Sequence, residues 1–118
     1  MAFGNDELRP LSQKGRDNWG SIAVTLVDSL DTLWLMDMKE EFEEAVRYVA
    51  ENVTFSSDTT LSVFEFSIRV VGGLLSAYYL SGDDRLVSPL RSAGEVVLNA
   101  FDGTHPLPHV CVIMVNEE

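Results

Sequence analysis

Between Leu61 and Leu80 the chain carries only two charged residues, Glu65 and Arg69. Around them stand Leu61, Val63, Phe64, Phe66, Ile68, Val70, Val71, Leu74, Leu75 and Ala77, apolar positions on every side of a helical wheel. The spacing predicts a helix over residues 60–80. A helix that is apolar all round is stable only when other elements cover it. Ser56-Ser57-Asp58-Thr59 before it is rich in residues that cap helices. Ser81-Gly82-Asp83-Asp84 after it reads as a stop and a new start.

The partners for such a helix must come from the rest of the chain. Trp19, Ile22, Ala23, Leu26, Val27, Leu30, Leu33 and Trp34 repeat at steps of three and one. They predict an amphipathic helix over 17–37, with Asp17 as its N-cap. Phe42, Ala45, Val46, Val49 and Val53 predict a second helix over 39–52. Its other face is Glu40, Glu41, Glu43, Glu44 and Glu51, with Glu43 and Arg47 at i, i+4. Leu90, Val97, Leu98 and Phe101 predict a last helix over 88–101, with Ser88 as N-cap and Pro89 at the first helical position. Val110 to Val115 is a short β-prone run. The expected class is therefore all-α, with short loops joining antiparallel helix hairpins. Three partners, one of them strongly acidic, do not enclose the apolar helix. The chain is expected to be part of a larger α domain and to expose apolar surface by itself.

Charge narrows the partners. Eight Lys and Arg stand against 19 Asp and Glu, a formal net charge of −11, which disfavours nucleic acid and anionic membrane surfaces. A 46% apolar composition supports a packed core rather than disorder. Cys111 is the single cysteine, so no disulfide closes within the chain. No apolar run is expected to reach the ~18 residues of a membrane span. Met1-Ala2-Phe3-Gly4-Asn5-Asp6 lacks the basic start and apolar stretch of a secretory leader.

Glu65 and Arg69 are the residues most able to carry chemistry. Their i, i+4 spacing puts them on one face. Gly72 and Ser76 continue that stripe with small side chains, as the wall of a cavity would. The structural alternative is an ion pair holding two helices, and spacing alone favours it. Asp28 and Asp31 with Thr25 and Thr32 form the polar side of the first helix, where a solvated face is the simpler reading than a cation or sugar site. His105, His109 and Cys111 do not match zinc spacings, and prolines separate the histidines. Asn52-Val53-Thr54 is an N-glycosylation sequon, a pattern that also arises by chance.

Several longer segments resemble one family in order and in register. They are Asp6-Glu7-Leu8-Arg9-Pro10; Thr25-Leu26-Val27-Asp28-Ser29-Leu30-Asp31-Thr32-Leu33; Glu41-Phe42; and VFEFSIRVVGGLLSAYYLSGD from Val63 to Asp83. Together they resemble glycoside hydrolase family 47, the class I α-1,2-mannosidases that trim high-mannose N-glycans. The likeness runs from about Gly4 to Phe101. Leu107-Pro108-His109-Val110 resembles a distorted form of the next segment, so the tail over about 102–118 is atypical.

The resemblance implies that residues 1–118 are the opening helix hairpins of an (α/α)7 barrel. It implies a mannosyl-oligosaccharide 1,2-α-mannosidase: a calcium-dependent, inverting glycosidase acting on high-mannose N-glycans in the endoplasmic reticulum or Golgi lumen. Glu65 matches the family's catalytic carboxylate, assigned as general acid, and Arg69 the arginine that lines the sugar pocket. The other catalytic carboxylates and the calcium-binding threonine are expected beyond residue 118, so no metal ligand is expected here and the 118 residues alone are expected to be inactive. Pro89 and Ile113 depart from the family pattern. A degradation-enhancing, glycan-recognising branch of the family is the alternative. Arg9-Pro10-Leu11-Ser12, Asp28-Ser29-Leu30-Asp31 and Ser62-Val63-Phe64-Glu65 lean that way, while Trp34 and Tyr78 to Asp83 lean towards the processing enzymes. A catalytically empty interaction domain is a third reading, against which Glu65 stands.

Overall fold

The computed structural model describes residues 2–114. The end of the β-prone run at Val115 and the residues after it lie outside that range. Four helices form the body: α1 Val24–Leu35, α2 Lys39–Asn52, α3 Val63–Ser81 and α4 Val87–Leu98. Two small antiparallel sheets accompany them, β1 Glu7–Arg9 with β2 Lys14–Arg16, and β3 Ser57–Ser62 with β4 Cys111–Met114. The chain is mostly helical, and the expectation of purely α structure is corrected by these two ribbons.

Helix α1 begins at Val24, not near Asp17. The residues before it wrap around the carboxylate of Asp6, which is fully buried. Asp6 Oδ2 accepts the N–H groups of Trp19 and Ser21 at 2.8 and 3.0 Å, and Oδ1 those of Ile22 and Val24 at 2.9 and 3.3 Å. Ser21 and Ala23 take left-handed backbone conformations to aim these donors, so the helix cannot start earlier. Asp17 does not cap it. Its carboxylate accepts instead from Asn5 Nδ2 and from the Asp6 N–H. Ile22 and Val27 are nonetheless buried as the periodicity requires.

The stretch predicted as one helix from residue 60 is a strand followed by a helix. Strand β3 pairs with β4 in the register Thr60↔Ile113, Leu61↔Val112 and Ser62↔Cys111. The β-prone run of the tail thus finds its partner about 50 residues earlier in the chain. A periodicity read within a local window cannot see such a pairing. Ser62, not the Ser56–Thr59 run, caps α3: its Oγ accepts the Glu65 N–H at 3.3 Å. Gly82 ends the helix in a left-handed conformation, its N–H donating to the Tyr78 carbonyl at 2.8 Å.

Phe66, Val70, Leu74 and Ala77 form the buried side of α3 and the centre of the core. Phe55 meets Phe66 edge to face at 5.7 Å between ring centres. Against α1 the approach is closest at Gly73, where an added Cβ would stand 3.0 Å from the Val27 carbonyl oxygen. The opposite side of α3 is uncovered: Phe64 is 67% and Tyr79 79% exposed. That matches the unmet demand read from the sequence. Contrary to the sequence expectation, Val63–Ser81, at mean hydropathy 1.3, is long and apolar enough to cross a membrane. A core helix passes the same test, and here α3 packs on α1.

A 3-10 turn, Asp84–Leu86, leads into α4, so Ser88 is not the N-cap and Pro89 sits inside the first turn. There its missing N–H still has no intrahelical partner to lose. The buried stripe is Pro89, Ala93, Val96 and Ala100, while Leu98 and Phe101 face outward. Of the predicted stripe, Leu90 and Val97 are half-buried against the core, and small residues at helical spacing mark the rest of the packed side.

The entry to α4 is tied to α2 by Arg85. Its Nη1 and Nη2 reach the two oxygens of Glu43, both at 2.7 Å, and its Nε reaches Asp83 at 2.9 Å. Hydrogen bonding to Arg85 holds the carboxyls of Glu43 and Asp83 below the usual range. Such groups stabilise the fold at pH values above their unfolded pKa of about 4, and the contribution is lost as pH falls through the lowered folded values. Arg85→Met is therefore expected to lower the melting temperature at pH 7. The gap to the wild type should narrow as pH falls from 5 to 3. A gap independent of pH would assign the effect to packing of the arginine stem.

Candidate functional site

Glu65 stands in the first turn of α3, three residues after the capping serine. Ser62-Val63-Phe64-Glu65 has the sequence of a capping box, whose glutamate ordinarily turns back to the cap N–H. Here it turns forward instead. Glu65 Oε2 accepts a hydrogen bond from Arg69 Nε at 2.7 Å. Arg69 then reaches across to α1, where its Nη1 meets Asp28 Oδ2 at 3.1 Å. The close approach at Gly73 brings α1 near enough for this, since the same added Cβ would lie 3.4 Å from the Asp28 Cα.

Residues Ser67–Val71, with Arg69 in their middle, form a π-helical turn inside α3. Such turns insert one residue into the α register, re-aim side chains and recur at functional sites. Nothing in the periodicity signals it.

The three side chains line an open groove of about 290 Å³ with Glu7, Trp19, Val24 and Thr25. Glu65 is 37%, Asp28 40% and Arg69 44% exposed as side chains. The pair expected inside a buried helix therefore lies on its accessible side, within reach of a ligand. Gly72 and Ser76 do not line the groove. Hydrogen bonds to Glu65 and then to Asp28 raise the Arg69 pKa further, so the guanidinium stays charged. Three carboxylates share the groove with this one cation.

The chemistry of the lining suits a polyhydroxylated ligand. Carboxylates accept hydroxyl hydrogens, the guanidinium donates to oxygens, and the Trp19 ring offers an apolar face. Asp28 and Thr25 join the site although their side of α1 reads as solvated; Asp31 and Thr32 do not line it. Glu7 and Trp19 were not legible as site residues. Glu7 comes from strand β1, and the Asp6 turn carries Trp19 into place. His105 and His109 gather around Asp102 instead of forming a ligand set with Cys111. His109 Nε2 lies 3.0 Å from Asp102 Oδ2, and the Thr104 hydroxyl and N–H, then His109, draw the Asp102 carboxyl down to about 2. Among the described residues no group of three or more His, Cys, Asp or Glu side chains is placed to hold a metal ion.

Known proteins share this arrangement of sequence and fold. An α-1,2-mannosidase from Trichoderma reesei superposes with a TM-score of 0.79 at 30% identity, over 96% of this chain and 26% of its own. The endoplasmic reticulum mannosyl-oligosaccharide 1,2-alpha-mannosidase of Rattus norvegicus is 42% identical over 109 residues, 92% of this chain and 16% of its own length. ER degradation-enhancing alpha-mannosidase-like protein 2 of Mus musculus is 54% identical over 80 residues, 68% of this chain and 14% of its own. The chain thus spans less than a fifth of these two relatives. The sequence model of glycosyl hydrolase family 47 matches residues 1–117, nearly the whole chain, and the chain belongs to that family.

Proposed function

We propose that this chain forms one wall of the sugar site of an α-1,2-mannosidase and supplies its general acid, Glu65. The substrate is terminal α-1,2-linked mannose on high-mannose N-glycans. The observation that carries the reading is the Glu65–Arg69–Asp28 chain of hydrogen bonds along an accessible groove in a member of family 47. Arg69 orients Glu65 and leaves its other oxygen free to face a ligand. Glu65 donates a proton to the glycosidic oxygen as the bond to C1 breaks, directly or through one water.

Inversion places a base on the far side of the sugar, roughly 6.5–9.5 Å from the acid. That base belongs to the remainder of an (α/α)7 barrel, as does the site for calcium. Among the described residues no set of His, Cys, Asp or Glu side chains is placed to hold that cation. The protein works in the endoplasmic reticulum or Golgi lumen, a reading supported by the endoplasmic reticulum in the rat relative's name.

Incubating the complete protein with a high-mannose glycan tests the reading. Loss of terminal α-1,2-linked mannose, with β-mannose as the first product by NMR, is expected. Release of α-mannose, or no release with or without calcium, would overturn it. A second reading, glycan recognition in the degradation-enhancing branch, is favoured by the 54% identity to the mouse protein. It predicts glycan binding with little turnover.

A further inference from the structure

We propose that Asn52 is an N-glycosylation acceptor. Asn52-Val53-Thr54 is the only Asn-x-Ser/Thr triplet in the sequence, and the structure puts it where an acceptor must be. Asn52 ends α2, and both Asn52 and Thr54 are exposed. Val53 leaves the helix in an extended conformation (φ −88°, ψ 124°), so the triplet is not locked in helix. A groove of about 190 Å³ lined by Val53, Thr54, Ser88 and Pro89 leaves room beside it for a first sugar.

The side of the molecule also matters. The uncovered face of α3, with Phe64, Ile68, Leu75 and Tyr79, is apolar and suited to being covered by further helices. The outer face of α2 is Glu40, Glu41, Glu43, Glu44, Arg47 and Glu51, all exposed. Burying such a row without partners would be costly, so this face stays in water when the rest of a domain is in place. A bulky, solvating glycan is compatible with such a face. Asn52 Nδ2 donates to the Tyr48 carbonyl at 3.1 Å, and a glycosylated amide keeps one N–H for that bond.

The co-reactant is a lipid-diphosphate-linked oligosaccharide, presented by a transferring enzyme of the secretory pathway. Asn52 Nδ2 attacks C1 of its first N-acetylglucosamine. The N–C1 bond forms and the C1–O bond to the diphosphate breaks. The diphosphate leaves with the electron pair, and Nδ2 gives one proton to a base of the transferring enzyme. The inference rests on the lumenal location proposed above.

Translation of the full chain behind a cleavable secretory leader, with microsomes present, tests it. Protease protection identifies the molecules that have entered the lumen. Those molecules are expected to gain the mass of one glycan, removed by endoglycosidase H. Asn52→Gln and Thr54→Ala should abolish the gain, and Thr54→Ser should keep it. Protected molecules of unmodified mass would overturn the proposal. Modification here, with no glycan on the protein isolated from its own cells, would support the acceptor and overturn the lumenal location instead.

Discussion

Asp6→Ala is expected to destabilise the fold by several kcal/mol, more than any surface substitution in the chain. Four backbone N–H groups, from Trp19, Ser21, Ile22 and Val24, share its carboxylate. Leaving a buried donor without an acceptor costs about 1–3 kcal/mol. The bonds to Ile22 and Val24 are buried and those to Trp19 and Ser21 partly so. Water can replace the acceptor for the outer pair, so a loss of about 3–6 kcal/mol follows from the inner pair and a share of the outer. Small domains are stable by about 5–15 kcal/mol in all. Asp6→Asn should also destabilise, since its NH2 group would face N–H donors in place of an oxygen. Urea unfolding measures both. A loss under 1 kcal/mol for each would mean that the turn is held by packing of Ile22 and Trp19 instead.

The same residue shows how far the fold was legible. The periodicity of α1, α2 and α3 places Val27, Leu30, Phe42, Val46, Phe66, Val70 and Leu74 in the core, and there they are. Local spacing carries that information because each helix face is written within a few turns. It does not carry what one distant side chain does to a backbone. Asp6 converts the predicted first turns of α1 into a loop, and β4 converts the predicted start of α3 into a strand. Both act over long sequence separations. On α4 the error was of another kind, because size was taken for burial: Leu98 is 66% exposed while Ala93 is fully buried.

For the site, two charges in an apolar helix pointed to Glu65 and Arg69. The spacing could not say which side of α3 they occupy. It also could not tell that Asp28, 41 residues earlier than Arg69, completes the row. Close packing at Gly73 and the π turn around Arg69 decide that, and neither leaves a mark in the pattern of apolar residues.

Glu65→Gln in the complete enzyme is expected to reduce the catalytic rate by about 10²–10⁴-fold, the usual worth of general acid catalysis, with glycan binding much less affected. Glutamine keeps the shape and can still accept from Arg69 Nε. It has no proton of suitable acidity to deliver to a leaving oxygen. Arg69→Ala should act differently, raising KM more than it lowers kcat, because a guanidinium positions oxygens without exchanging protons. If the two residues formed only an architectural ion pair, both changes would act through stability. That account is already weak, since both side chains are more than a third exposed and ion pairs in contact with water contribute little. Single-turnover rates beside thermal melts separate the cases. A Glu65→Gln enzyme that lost activity only in proportion to a fallen melting temperature would remove Glu65 from the chemistry. One that melts with the wild type, binds glycan and fails to cleave it places the proton on Glu65.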